Sequence, residues 1–165
     1  MNWIPTFENF NNHKSIDPDA KIIMSANEHI TPYNVRQKPK KHSPKPDGLW
    51  YGIGSSWLDW VDKEMPSWRQ KYIHELHLNM SNILQINKDM SFREFEDKYG
   101  IGFHKAGNRQ VVSDIDWVAV QDDGWYGIEI MSPFGVFGSW LNPWDVSSGC
   151  VWDKKAIRKI ELIEP

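Results

Sequence analysis

Apolar and polar positions alternate in short blocks along most of this chain, which predicts strands more often than helices. Lys21 to Ala26 (KIIMSA) is a brief apolar run between polar flanks and reads as a buried strand. Gly48 to Ile53 (GLWYGI) reads as a second. Trp57, Trp60 and Val61 then recur at i, i+3 and i+4, which predicts a helix capped by Ser55 or Ser56 and ended by Pro66. Tyr72 to Leu78 alternates cleanly, with Tyr72, His74, Leu76 and Leu78 on one face and Ile73, Glu75 and His77 on the other. Ile83 to Ile86 is a short strand, and the run from Ser91 to Glu94 is a capping box opening a helix that carries Phe92, Phe95 and Tyr99 and stops at Gly100. Residues 101–112 read as a glycine-containing loop, and Ser113 as the start of a short helix with Ile115, Val118 and Ala119. Tyr126 to Met131 is a strand and Pro133 to Trp144 a loop. Cys150 to Trp152 leads into a turn at Asp153 to Ala156, and Ile157 to Ile163 closes the series as a strand. Strands outnumber helices and arrive in consecutive pairs. The expectation is an α+β fold of mainly antiparallel, split β-sheets with helices at the side. Residues 1–20 read as an N-terminal arm and 21–165 as one domain.

Composition narrows the partners. Of 165 residues, 40% are hydrophobic and 25% charged, and the net charge is -3. A packed core is therefore expected, and a nucleic-acid coat or polybasic anchor, which needs clustered positive charge, is not. Cys150 is the single cysteine, so no disulfide can form within the chain and no thiolate metal site is expected. No stretch approaches the ~20 apolar residues of a membrane-spanning helix, and no secretory leader is visible. The expected compartment is cytoplasmic, with no membrane partner. Residues 31–47 hold four prolines among closely spaced basic residues, which predicts an exposed, mobile loop able to steer an anionic ligand. Ten tryptophans are the outlying count. Each indole offers a large stacking face and one N–H donor, so these rings either build the core or line a groove for a flat ligand.

Most familiar chemical signatures are missing. His74 and His77 point to opposite sides of their strand and cannot share an ion, while His29, His42 and His104 lie in loops without ligand spacing, so no metal site is expected. Gly52 to Ser56 (GIGSS) lacks the lysine of a phosphate-binding loop, and no nucleophile elbow occurs. What remains is the segment 48–60, GLWYGIGSSWLDW. A strand gives way to small residues and then to an aromatic-bearing helix. Small residues admit a ligand close to the backbone, rings at Trp50 or Tyr51 can stack on it, and a helix start at Ser55 offers free N–H groups.

In this segment the chain resembles the ADP-ribosyltransferase fold, including the poly-ADP-ribosyltransferase branch and related phage and toxin domains. KIIMSA stands where that family has its first strand, and GLWYGIGSSWLDW where it has the second strand and following helix. YIHELHLNMSNILQI is similar to the next pair, WYGIEI to the Asp-Gly-Ile segment, and GCVWDKKAIRKIEL to the final part. The resemblance covers residues 20–163, and GLWY with SSW is its specific portion. It implies an α+β domain that takes NAD as substrate, without a metal, and passes ADP-ribose to a protein or nucleic-acid acceptor. It implies cofactor-binding roles for Ser25, His29, Gly48, Trp50, Tyr51, Ser55, Trp57 and Ser148. The family's first-strand His or Arg is replaced by Met24-Ser25-Ala26. Its catalytic Glu corresponds to Glu129 in one alignment; in the other, Ser148 stands in that place. Two further readings share these residues: a nucleotide- or partner-binding module without catalysis, and a tryptophan-rich structural or interaction protein.

Overall fold

The computed structural model describes residues 16–164. Nine strands and three helices follow one another along this stretch. They are β1 (Lys21–Ser25), β2 (Leu49–Ile53), α1 (Ser56–Glu64), β3 (Tyr72–Leu78), β4 (Ile83–Gln85), α2 (Phe92–Tyr99), β5 (Gly100–Ala106), β6 (Arg109–Ile115), α3 (Trp117–Asp122), β7 (Gly127–Ile130), β8 (Ser148–Val151) and β9 (Ile157–Glu164). Seven strands form one continuous sheet in the order β4-β7-β8-β2-β1-β3-β9, while β5 and β6 make a separate hairpin. Every neighbouring pair in the large sheet is antiparallel except β4 and β7, which run parallel. The expected mixture of helix and mainly antiparallel strand is present. The expected split takes another form, because only the hairpin stands apart from an otherwise unbroken sheet.

Local sequence explains most of these elements. The Ser91 hydroxyl accepts from the Glu94 amide at 3.1 Å while the Glu94 carboxylate accepts from the Ser91 amide at 3.2 Å. This reciprocal cap satisfies two donors that a helix start leaves free, and α2 begins there. Phe95 and Tyr99, four residues apart, face inward and are buried. The α1 helix buries Leu58 and Val61, so of the Trp57, Trp60 and Val61 stripe read from the sequence only Val61 goes fully inward. Leu58 packs with Ala20, Ile22 and Ile73, so small and branched apolar chains win the sheet contact and the two indoles are left half-buried.

Three sequence expectations are corrected. Residues 101–112 are not a loop: they form β5 and most of β6, joined by a two-residue turn at Gly107 and Asn108, where Gly107 takes φ +64°. The helix read from Ser113 begins later, at Trp117, capped by the Asp116 side chain, which accepts from the Ala119 amide. Strand pairing holds residues through Ile115 extended, overriding the helical spacing of Ile115, Val118 and Ala119. The third correction concerns only the looseness expected of residues 31–47, which are a largely exposed loop as read. They carry no helix or strand, yet they are firmly tethered. Val35 donates to the Trp152 carbonyl at 2.8 Å, Gln37 and Asp47 exchange two hydrogen bonds, and Ser43 is buried with its amide on Asp114 at 2.7 Å. The arm read at residues 1–20 falls mostly outside the described residues. Its last part does not behave as an arm, since Ala20 is buried and Ile16 packs beside it.

Candidate functional site: an indole-walled cleft on one face of the sheet

The ladder register sorts side chains between the two faces of the sheet. Trp50 pairs with Cys150, which pairs with Ile128, so these three share one face. Gly52 pairs with both Ile22 and Ser148 and belongs to that face too. Tyr51 pairs with Gly149, which pairs with Glu129, and this row lies on the opposite face.

A cleft of about 260 Å³ opens on the Trp50 face. That is just under the roughly 300–1,000 Å³ of ordinary small-molecule sites, and suits one flat heterocycle with the rest of a ligand outside. Ile22, Met24 and Gly52 contribute from the sheet, Trp57 from α1, and Trp144 and Val146 from the segment entering β8. Trp50 and Trp144 meet edge to face at 5.0 Å between centroids. Trp57 stacks on Trp60 at 5.1 Å and 9°, which holds its ring in one orientation. Gly52 is what lets α1 come so close: a Cβ there would overlap the Trp57 Cβ. The Ser56 hydroxyl ties the helix start to the Ser147 carbonyl at 3.0 Å.

The polar groups of the cleft are Ser148, Lys45 and Asp145. Ser148 is buried and donates its hydroxyl proton to the Val146 carbonyl at 2.9 Å, leaving its oxygen as an acceptor. The Lys45 ammonium stands 5.4 Å from the Trp50 ring centroid, a cation–π contact. Burial lowers the Lys45 pKa from its ordinary value, and the negative charge of Asp145 works against that lowering. A cation and an anion thus flank a ring-lined hollow, a combination that can bind a flat group carrying phosphate or positive charge.

The structure gathers only some of the residues singled out in the sequence. Trp50, Trp57 and Ser148 meet at the cleft, with Tyr51 in its wall. The Tyr51 phenol, however, reaches through the other face and donates to Glu129 at 2.7 Å. The Lys21 ammonium reaches the same carboxylate oxygen at 2.7 Å. Gly149 makes room for this arrangement, since a Cβ there would overlap the Tyr51 ring. Burial first, and the neighbouring carboxylate second, push the Tyr51 pKa well above its ordinary value. Glu129 therefore does not share a site with Trp50 and Ser148; the thickness of the sheet lies between them. Ser25 accepts from the Asn27 amide at the end of β1, and His29 is exposed in the following loop. Ser55 donates to Asp59, and Gly48 is packed against the Val151 carbonyl. None of these four lines the cleft.

Sequence reasoning missed Lys45, Trp144 and Asp145. The first lay in a proline-rich segment read as loose, the second at the end of the loop read over Pro133 to Trp144, and the third just past that loop. The paired placement of Lys45 and Trp144 has a readable cause only in three dimensions: Trp144 donates its indole N–H to the Pro44 carbonyl at 3.1 Å. A second group of polar side chains, Glu75, His77 and Glu161, comes together on β3 and β9 with spacing compatible with a metal ion. Comparison with protein-family models, with curated proteins and with solved structures found no match. Among the described residues no helix is long and apolar enough to cross a membrane.

Proposed function

We propose that this chain is a nucleotide-binding domain on the ADP-ribosyltransferase-like plan, taking NAD or a close relative by its flat ring in the Trp50 cleft. The observation that carries this reading is the convergence of Trp50, Trp57 and Trp144 with Ser148 in one hollow of single-ring size. Indole faces stack on a heterocycle, Ser148 accepts from an amide or ribose hydroxyl, and Lys45 swings from Trp50 toward phosphate. Binding without transfer is the favoured form of this reading. Ser148, which one alignment sets in the catalytic-carboxylate position, lines the cleft, and Glu129 is engaged by Lys21 and Tyr51 on the opposite face. One observation favours a transferase form instead: Asp145 supplies a carboxylate at the cleft. In that form Asp145, not Glu129, would steady positive charge as nicotinamide leaves, and a protein or nucleic acid would accept the ADP-ribose.

Titration with NAD, followed by tryptophan fluorescence and calorimetry, tests the reading. Saturable quenching is expected, and Trp50→Ala should weaken binding about tenfold, as loss of one stacking platform does elsewhere. Absence of saturable binding to NAD and to nicotinamide mononucleotide would end the proposal. Chromatography of the same mixture for free nicotinamide separates the two forms, because only the transferase form releases it, and Asp145→Asn should then abolish the release.

A further inference from the structure

Along β3 and β9 at one edge of the sheet, the register sets Glu75 directly opposite Glu161. Two carboxylates opposed across a ladder repel each other, an arrangement that weakens pairing unless a positive charge joins them. His77 is two residues beyond Glu75 on β3, so its imidazole leaves the same face. Its Nε2 lies 3.2 Å from a Glu161 carboxylate oxygen and 3.7 Å from one of Glu75. One donor atom from each of the three side chains lies within 4.8 Å of the others, and all three residues are half-buried. Donors bound tetrahedrally at about 2.0–2.2 Å from a zinc ion stand roughly 3.3 Å apart, so the two imidazole–carboxylate distances bracket the separation such an ion requires. Small carboxylate rotations would complete the fit.

We propose that Glu75, His77 and Glu161 form a binding site for a divalent transition cation, with solvent completing the coordination. One imidazole and two carboxylates make a donor set of intermediate softness, suited to Zn²⁺ or Co²⁺ and poorly suited to Mg²⁺ or Ca²⁺, which prefer oxygen alone. All three residues stand on the paired strands β3 and β9, whose ladder sets their Cα positions. Lys159 is the resident competitor: its ammonium sits 2.9 Å from Glu161 and is mostly exposed, free to turn outward when an ion takes its place. The site is independent of the Trp50 cleft and of any nucleotide reading. Local spacing hides this site, because alternation along β3 separates His77 from His74 and its partner carboxylate lies 84 positions later.

Calorimetric titration of the chelator-treated full chain with Zn²⁺, and visible absorption of the Co²⁺ form, test this assignment. One equivalent should bind with micromolar affinity, and the Co²⁺ spectrum should shift as imidazole enters its coordination sphere. His77→Ala and Glu161→Gln should each weaken binding at least tenfold while leaving the metal-free unfolding curve near that of the parent. Lys159→Met should tighten binding severalfold, a gain that a merely structural role for these residues does not predict. Failure of the parent chain to bind Zn²⁺ at millimolar concentration would overturn the proposal. So would undiminished binding by both His77→Ala and Glu161→Gln, which would move the ion to other histidines.

Discussion

Glu129 illustrates how one carboxylate takes its role from its surroundings. It is nearly buried, and two donors, from Lys21 and Tyr51, converge on the same oxygen at 2.7 Å each. Such a group anchors strands; removing its charge leaves the Lys21 ammonium poorly paired. Glu129→Gln should therefore lower stability by roughly 2 kcal/mol or more in chemical denaturation. On the proposed nucleotide reading, NAD affinity should stay within about twofold of the parent, since the cleft is on the other face. A large loss of affinity would return Glu129 to the site. Tyr51 and Cys150 carry a matching pH signature. Burial is the chief cause that pushes both well above their ordinary values. The unfolded chain thus gives up these protons at a lower pH than the folded one. Their contribution is intact below about pH 9 and is lost as pH climbs through the raised folded values. The denaturation midpoint should fall as pH rises above about 9, and Tyr51→Phe should flatten part of that decline.

The cleft depends on how close two elements approach. Gly52 on β2 lies beneath Trp57 of α1, with no room for a methyl group. Gly52→Ala should push α1 outward, costing about 1–3 kcal/mol as overpacking does, and on the proposed nucleotide reading should weaken NAD binding more than its effect on stability explains. Fluorescence titration beside thermal unfolding separates the two effects. The hairpin of β5 and β6 carried a partial local signal, since Ile101 and Phe103 recur two apart ahead of a Gly-Asn turn. Gly102 and Gly107 made residues 101–112 read as a loop, and Gly100 read as the stop of the helix before it. The capping box at Ser91, by contrast, is a local signal with its partners three residues apart, and it survived folding unchanged.

Across the whole molecule, the tryptophans divide by burial. Trp117, Trp140, Trp144 and Trp152 are buried, and each indole N–H finds an oxygen, two of them on the tethered 31–47 segment at Ser43 and Pro44. Trp50 and Trp57 are half-buried at the cleft and Trp68 is exposed beyond them. Cys150 sits at the centre of this packing, wholly buried. Its modification by a soluble thiol reagent should proceed only as fast as the chain opens, and should accelerate sharply in denaturant; rapid labelling of the native protein would contradict the packing described here. By itself the sequence determined what depends on neighbours a few residues away: the positions of β1, β2, β3 and β9, the α2 cap, the end of α1, and the need to hide many large rings. Tertiary structure alone decided which rings went inward, that Lys45 and Asp145 would flank the cleft, and that Glu129 would face away from Trp50. The physical reason is that alternation within a strand tells which residues share a face. It does not tell which face another strand's residues will join, because that follows from register between segments separated by tens of positions.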